Sequence, residues 1–280
     1  MVAAIARTRL APRLVLLVPL LAFLALAYGI PFLGVVEWSV TDPAPGLGQY
    51  AKLTQDPLVL SVFVRTFRIC AIVTLASIVG AYAIAYLWVR GTPLQQRLVE
   101  FCILVPFWIS VLTRAFGWLA LLSTRGLVNT WLQSLGFISD PLPLVRNEFG
   151  VIVGMTHFLL PYAVFPIASA MRHLDERVLL AARGMGAGRQ RIFWTVFLPM
   201  TGPGILGAAL IVFVFALGFF VTPAILGGGR SVMVAELVYL RMFQSIDWGL
   251  GAAISVTLVV LVGALMAVMF RFLRPQGLVR

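Results

Sequence analysis

A basic, glycine-rich stretch is the part of the sequence whose residue types and spacing most suggest a chemical site. Residues 179–199 read LLAARGMGAGRQRIFWTVFLP, with Gly184, Gly186 and Gly188 among three arginines. Closely spaced glycines can cradle phosphates, but nucleotide-binding loops need G-x-G-x-x-G after a strand or G-x-x-x-x-G-K-[ST]. These three glycines do not form the first pattern, and the second occurs nowhere in the chain. The stretch is therefore not expected to bind ATP.

Side chains suited to catalysis or metal binding are few and dispersed. The chain has two histidines, two cysteines and ten acidic residues, without the clustering that a metal site or an active site needs. Cys70 and Cys102 lie inside apolar runs, where an inert packing role is expected. We expect no catalytic residue, no metal site and no cofactor in this chain. An integral-membrane enzyme is accordingly a weak alternative.

The composition is that of a membrane protein. Of the 280 residues 61% are hydrophobic and only 11% are charged, whereas soluble domains carry about 25% charged residues. Each run without charges can supply the roughly 20 apolar residues of a spanning helix. The sequence predicts an all-α integral membrane protein with a single transmembrane domain, residues 1–280. Its six spans are expected at about 14–36, 66–89, 99–122, 149–171, 204–225 and 248–270, and the first is too long for a cleavable signal peptide.

The distribution of positive charge predicts the orientation. The net charge is +11, and most basic residues fall at one set of span ends. These are Arg7, Arg9, Arg13, Arg90, Arg97, Arg172, Arg177, Arg183, Arg189, Arg191, Arg271, Arg274 and Arg280. By the positive-inside rule both termini and residues 172–199 are expected in the cytoplasm. The charge thus reflects membrane topology, and no nucleic-acid partner is expected.

The basic stretch lies between the fourth and fifth predicted spans and is expected to form two short helices. Asp175 is a suitable N-cap for the first helix, and Gly186 and Gly188 suit the turn that follows it. The second helix carries an apolar stripe and is expected to end at Pro199. The insert is too short to bury itself, and its small residues would let a partner approach the backbone. A docking surface is therefore predicted.

These residues resemble the EAA loop of the permease subunits of bacterial binding-protein-dependent ABC importers. The resemblance lies in the pairs Ala181-Ala182 and Gly186-Ala187, followed by Phe193 and Pro199. It implies a type I ABC importer permease fold in which residues 172–199 are the coupling loop for a cytoplasmic ATPase. The coupling residues that it implies are Asp175, Glu176, Leu180, Ala181, Ala182, Arg183, Gly186, Ala187, Gly188, Phe193 and Pro199. Leu180 stands where the family has an acidic residue, so Asp175, Glu176 or the nearby arginines would have to replace that contact.

Three further segments resemble the spermidine and putrescine branch of these permeases. They are LVPFWISVLTRAFGW (104–118), GLVNTWLQSLG (126–136) and FALGFFVTPAILGG (215–228). The resemblance implies a polyamine or a related amine as the solute. Many relatives have an acidic residue where this chain has Phe219, so permeases for iron, thiamine, sulfate or amino-acid-like solutes remain alternatives. A secondary transporter is a less favoured alternative, because it would show internal repeats and midplane ionisable residues.

In this family the translocation path of the solute lies between two permease subunits, and several residues of this chain are candidates for lining that path. They are Arg114, His157, Phe215, Phe219, Phe220 and Glu236. Arg114 is the only charge inside a predicted span, a position that usually marks function, although snorkelling or pairing with an outer acid would also explain it. It suits a solute that bears a carboxylate better than a polycation.

The other candidates also have two explanations each. His157 precedes Pro161 by four residues and either packs at a kink or lines the path. The three phenylalanines form either an aromatic gate or an ordinary apolar face. Glu236, with Asp247, either attracts a cationic solute or forms exposed pairs with Arg230 and Arg241.

The resemblance also implies the partners and the mechanism. The partners are two copies of an ATPase subunit that binds ATP and Mg²⁺, a second permease subunit that is a different chain, a periplasmic solute-binding protein and the lipid of the bacterial inner membrane. Residues 38–64 and 125–148 would face the binding protein. The coupling loop would act as a rigid lever, continuous with the fourth and fifth helices, and would switch the side on which the path is open.

Overall fold

The computed structural model describes residues 17–273, and every regular element in that range is a helix. A helix satisfies its own backbone hydrogen bonds, as the hydrocarbon of a membrane requires. The all-α class expected from the sequence is therefore confirmed. The expected start of the first span at residue 14 lies outside the described residues, as do Arg7, Arg9, Arg13, Arg274 and Arg280.

Thirteen helices follow one another in the described part of the chain. They are α1 (Leu17–Thr41), α2 (Gly48–Gln55), α3 (Pro57–Arg90), α4 (Pro93–Trp108), α5 (Val111–Leu122), α6 (Leu127–Ser134), α7 (Glu148–Arg172), α8 (Glu176–Gly184), α9 (Arg189–Met200), α10 (Gly202–Leu217), α11 (Val221–Gly227), α12 (234–244) and α13 (Trp248–Leu273). Helices α1, α3, α7 and α13 are long and apolar enough to span a membrane by themselves. Two bent pairs, α4 with α5–α6 and α9 with α10, bring the number of candidate spans in the described chain to six.

The third predicted span, 99–122, is not one continuous helix. The chain bends by 106° between Pro93–Trp108 and Val111–Ser134. Ile109 and Ser110 have extended backbone angles at the break. Pro106 removes the amide proton that would bond to the carbonyl of Cys102, which weakens the last turn of α4. Arg114 consequently lies in the first turn of a separate helix, α5.

The fifth predicted span, 204–225, is also interrupted. Helix α10 ends at Leu217, and α11 begins at Val221 after a short break. Pro223 lies in the first turn of α11. The N–H groups of a first turn have no partner within the helix, so the N–H that proline lacks is not needed there. The sequence pattern suggested one helix because the apolar run continues across this break.

The larger compact unit, residues 58–237, is built around α3, α7, α10 and α11. Helices α3 and α7 run in the same direction, because Arg68, in the first half of α3, contacts Glu148 at the start of α7, and Arg172 at the end of α7 lies on Trp88 near the end of α3. Helix α10 runs the opposite way, since its Gly204 lies against the last turns of α7. Helices alternating in this way are expected of consecutive membrane spans.

The smaller unit consists of the chain up to Pro57 together with residues 238–267. Asp42 joins its helices, because one carboxylate oxygen accepts a hydrogen bond from Gly249 N at 2.8 Å. The carbonyl oxygen of Asp42 accepts another from Gln49 Nε2 at 2.9 Å. Trp38 and Trp248 pack edge to face with ring centres 5.3 Å apart. This unit therefore has its own polar and aromatic contacts.

Candidate functional site

The coupling loop has the cap and the turn that the sequence predicts. The Asp175 side chain accepts a hydrogen bond from Arg177 N at 2.9 Å and begins α8. Ala182 is buried, and its carbonyl oxygen accepts from Ala187 N at 3.1 Å. Gly186 has φ +82°, a backbone conformation that glycine adopts without strain. The chain therefore reverses between α8 and α9 at the predicted glycine.

The insert is not helically continuous with its neighbours, so that part of the lever hypothesis is wrong. Three residues separate α7 from α8. At the other end, α9 continues past Pro199 to Met200 and then meets α10 at an angle of 57°. Pro203 lacks the amide proton that a continuous helix would use, so a new helix starts there.

Contacts with α3 brace the insert instead. Arg90, the last residue of α3, lies 2.5 Å from the carboxylate of Glu176 on α8. Phe193 packs edge to face on Tyr82, with ring centres 6.1 Å apart. Tyr86 makes the same kind of contact with Phe197, at 5.8 Å. An ion pair and two ring contacts therefore connect the insert to α3.

The tip of the insert is apolar and open. Leu180 is 59% exposed and Met185 is 83% exposed. Both side chains are therefore available for contact with a partner. Leu180 therefore offers apolar contact at the position where the family has a carboxylate.

Five aromatic rings from three parts of the chain form a second cluster, which we call the aromatic cluster. Its members are Phe107 of α4, Phe158 and Tyr162 of α7, Phe215 of α10, and Phe219 after α10. Phe158 and Phe219 have ring centres 4.8 Å apart, and Tyr162 lies 5.1 Å from Phe215. The predicted phenylalanines 215 and 219 thus pack against two aromatic residues that the sequence analysis did not single out.

Arg114 lies on this cluster. Its guanidinium carbon is 4.0 Å from the centre of the Phe158 ring, which is the geometry of a cation–π contact. Its Nε is buried without a hydrogen-bond partner, and it forms no ion pair with any carboxylate in residues 17–273. Pairing with an outer acid therefore does not account for this position, while the side chain as a whole is half-buried. The aromatic cluster therefore already holds a cation.

A hydrogen bond joins His157 to a tryptophan. Its Nδ1 accepts a hydrogen bond from Trp118 Nε1 at 3.1 Å, and the two rings pack edge to face. Because the indole can only donate, this bond fixes the neutral imidazole with its proton on Nε2. The contact ties α5 to α7 beside the aromatic cluster.

Glu236 does not form the exposed pair that the sequence suggested. It is 7% exposed, and its Oε2 has no hydrogen-bond partner among the described residues. Burial raises the pKa of this carboxyl above its ordinary value, and a hydrogen bond with the backbone of Met233 opposes the shift only in part. Arg241 instead lies 3.6 Å from Asp56. Phe220, the remaining predicted path residue, is half-buried at the start of α11.

Two features of the site had signals that the sequence analysis did not use. Phe158 and Tyr162 are four residues apart in α7 and so lie on one helix face, and Phe215 and Phe219 have the same spacing across the end of α10. Asn129, in the GLVNTWLQSLG segment, is fully buried and bonds the carbonyls of Ser123 and Leu142. It also accepts from Leu142 N at 2.9 Å. An asparagine inside an apolar helix is a sign of such a loop anchor.

Comparison with known proteins places the chain in a family. The sequence model of the family described as "Binding-protein-dependent transport system inner membrane component" matches residues 90–276. The spermidine/putrescine transport system permease protein PotB of Escherichia coli (strain K12) is 33% identical over 225 residues, which cover 80% of this chain and 82% of that protein. PotB of Haemophilus influenzae is 33% identical over 216 residues, 77% of this chain and 76% of that protein. The inner membrane ABC transporter permease protein YdcU of E. coli K12 is 26% identical, over 76% of this chain and 71% of its own length.

Solved structures support the fold. A chain of a bacterial alginate ABC transporter in complex with an alginate pentasaccharide-bound periplasmic protein has a TM-score of 0.82 at 15% identity, covering 95% of both chains. A chain of the MetNI methionine ABC transporter, in inward-facing conformations, has a TM-score of 0.55 at 17% identity and covers 78% of this chain and 97% of its own. The type I importer fold expected from the coupling loop is confirmed. The chain belongs to the family of inner membrane components of binding-protein-dependent transport systems and is a transmembrane permease subunit of an ABC importer.

Proposed function

We propose that this permease subunit carries a polyamine, spermidine or putrescine, from a periplasmic binding protein into the cytoplasm. The observation that carries the proposal is the 33% identity with a spermidine/putrescine permease over 80% of the chain. The aromatic cluster supports it, because ring faces attract ammonium and guanidinium groups and Phe158 already holds one such cation. Many relatives have an acidic residue at the position of Phe219. In this chain the ring faces would take over part of the attraction for a cation that such a carboxylate provides.

A solute that bears a carboxylate is the second candidate. It is favoured by Arg114, whose guanidinium has no carboxylate partner in the described chain. A carboxylate would form a charge-assisted hydrogen bond with the buried Nε, which has no partner. An amino-acid-like solute would satisfy both the rings and the arginine.

A competition assay distinguishes the two solute classes. The chain is reconstituted with its partner subunits and the cognate binding protein, and uptake of labelled spermidine is measured against unlabelled putrescine, an amino acid or a dicarboxylate. We expect putrescine to compete and the dicarboxylate to have no effect. A parallel assay follows a labelled amino acid, and its uptake with no uptake of labelled spermidine would favour the second candidate.

The chain works with an ATPase, a second permease subunit and a periplasmic binding protein, as members of its family do. We propose two copies of the ATPase, which bind ATP and Mg²⁺, and a second permease that is a different chain. The exposed tip around Leu180 would dock on the ATPase, with Glu176 held by Arg90 rather than free for a partner. When ATP draws the ATPase subunits together, the insert would move α3 through its ion pair and its ring contacts and would tilt α7 and α10.

The proposed topology has both termini and the insert in the cytoplasm. It is supported by the arginines of the insert and by the shared direction of α3 and α7, whose last turns carry Arg90 and Arg172. Single cysteines at Met185 and Phe137, which are 83% and 74% exposed, test it in a chain without Cys102. An impermeant thiol reagent added to intact cells should label Phe137→Cys from the periplasm and leave Met185→Cys unlabelled. The reverse pattern would refute the topology.

A further inference from the structure

A half-open cavity of about 310 Å³ lies where the end of α3 meets α8 and α9, and we call it the elbow pocket. Its lining residues are Tyr86, Arg90, Leu179, Arg183, Arg189, Ile192, Phe193 and Phe197. The volume is at the lower end of the range of pockets that hold small ligands, roughly 300–1,000 Å³.

The charge in the elbow pocket is positive and largely uncompensated. Of its three arginines, only Arg90 has a carboxylate partner, Glu176 at 2.5 Å. Arg183 and Arg189 form no ion pair with a carboxylate in the described chain. A guanidinium presents a planar fork of donors that matches phosphate oxygens in pairs. Two such forks, one from α8 and one from α9, converge on the same cavity.

The remaining lining is apolar and held in place. Ile192 and Phe197 are 6% and 5% exposed, and Phe197 packs on Tyr86. The guanidinium carbon of Arg90 lies 5.9 Å from the centre of the Phe197 ring. A ligand here would meet cations on one side and rings on the other. This combination suits an anion that carries an apolar group better than a bare acidic side chain.

The position in the chain points to the membrane surface. Tyr86 and Arg90 belong to the last turns of α3, which is long and apolar enough to span the bilayer. The end of a span lies at the level of the lipid headgroups, and the headgroups of anionic lipids attract clustered arginines there. The pocket is thus within reach of a lipid phosphodiester.

We propose that the elbow pocket binds a phosphate-bearing anion, held by Arg183 and Arg189 across the turn at Gly186. Such a ligand would join α8 to α9 and would fix the angle of the coupling loop, so its occupancy would regulate how firmly the loop follows the ATPase. Binding of an anion in the elbow pocket depends neither on which solute is transported nor on which side of the membrane the insert lies. A negative result would therefore leave the proposed function unaffected. The phosphate can come from an anionic phospholipid or from a soluble phosphate.

Native mass spectrometry of the full-length chain, purified in detergent with its partner subunits, tests the proposal. The complex is titrated with phosphatidylglycerol, with and without inorganic phosphate as a competitor. The test variant carries Arg183→Gln and Arg189→Gln. The matched control carries Arg177→Gln and Arg191→Gln, which remove equal charge from the same loop but do not line the pocket. We expect the test variant to bind phosphatidylglycerol about tenfold more weakly and the control to bind like the wild type.

A further variant and the competitor complete the test. Leu179→Glu places a carboxylate in the pocket without removing an arginine, and it should weaken binding to a similar extent. If the test variant loses binding of phosphatidylglycerol alone, the source of the phosphate is a lipid. If inorganic phosphate binds and its binding depends on Arg183 and Arg189, the source is a soluble phosphate. The proposal would be overturned if both double variants lost phosphatidylglycerol binding equally, or if neither variant lost it. Release of the ATPase from the test variant with lipid binding intact would also overturn it, because the arginines would then hold a carboxylate of that subunit.

Discussion

The guanidinium carbon of Arg114 lies 4.0 Å from the centre of the Phe158 ring, so a cation of the chain itself occupies the aromatic cluster. The contact joins α5 to α7, two helices that the sequence places in different spans. If the solute is an amine, its ammonium group competes with Arg114 for the same ring face. The ammonium group of the solute would then displace the guanidinium of Arg114, and the ring face would remain in contact with one cation or the other as the solute passes.

The first prediction concerns the ring face of Phe158. Phe158→Leu keeps an apolar side chain but removes the π face, and we expect amine uptake to fall about 2- to 30-fold, the equivalent of a cation–π contact of ~0.5–2 kcal/mol. Phe158→Tyr should retain most of the uptake. The control is Phe165→Leu, on the same helix but 39% exposed and outside the cluster. Equal uptake by the leucine and tyrosine variants would show that the ring face has no role.

The second prediction concerns the turn of the coupling loop. At Gly186 φ is +82°, so Gly186→Ala adds strain of about 1–2 kcal/mol although no neighbour obstructs the new Cβ. We expect transport by the reconstituted complex to fall severalfold. Gly184→Ala, at the end of α8 with an ordinary backbone and open space, is the control. Uptake measured in vesicles should be normal for the control, and a normal rate for Gly186→Ala would contradict the role of the turn.

The third prediction concerns the packing of α10 on α7. A Cβ at Gly204 would meet the Cβ of Ala170 and would lie 2.8 Å from the carbonyl oxygen of Pro166, whereas Gly207 has nothing within 4 Å. We expect Gly204→Ala to destabilise the protein by about 1–3 kcal/mol, as overpacking does. Gly207→Ala should have no such effect. Thermal unfolding in detergent measures both, and an unchanged Tm for Gly204→Ala would argue against close approach of the two helices.

The fourth prediction concerns Glu236 and pH. Burial raises the pKa of this carboxyl in the folded protein, so the folded state holds its proton more tightly than the unfolded state does. Its contribution to stability is therefore complete at acidic pH, below the unfolded pKa, and is lost as the pH rises through the folded pKa. Glu236→Gln should raise the Tm near neutral pH, by roughly 2–4 °C for each kcal/mol recovered, and the gain should vanish at acidic pH. A gain independent of pH would show that the carboxyl is not the cause.

The sequence predicted the cap and the turn of the coupling loop because capping residues and glycines act locally. Asp175 and Gly186 do in the structure what their residue types favour in any chain. The breaks after Trp108 and Leu217 could not be predicted in this way, since the apolar composition continues across both of them. In lipid, hydropathy identifies the residues within a span but gives no information on where a helix bends.

The contacts of the candidate site were harder to predict than its residues. Arg114 stood out because it is the only charge inside a span, yet its partner Phe158 became identifiable only when α5 and α7 were placed side by side. Glu236 was expected to be exposed because it lies between predicted spans, and tertiary packing buries it. Contacts between residues that are distant in the sequence depend on how the helices pack, and local sequence patterns do not reveal that packing.

The measurement that tests the account most directly is solute uptake into proteoliposomes in which the ATPase is the only variable. The chain is reconstituted with its partner permease and binding protein, either with the active ATPase or with one that binds but does not hydrolyse ATP. We expect uptake against a gradient only with the active ATPase and ATP, because the coupling loop has no energy source of its own. Uptake at the full rate without hydrolysis would contradict the account.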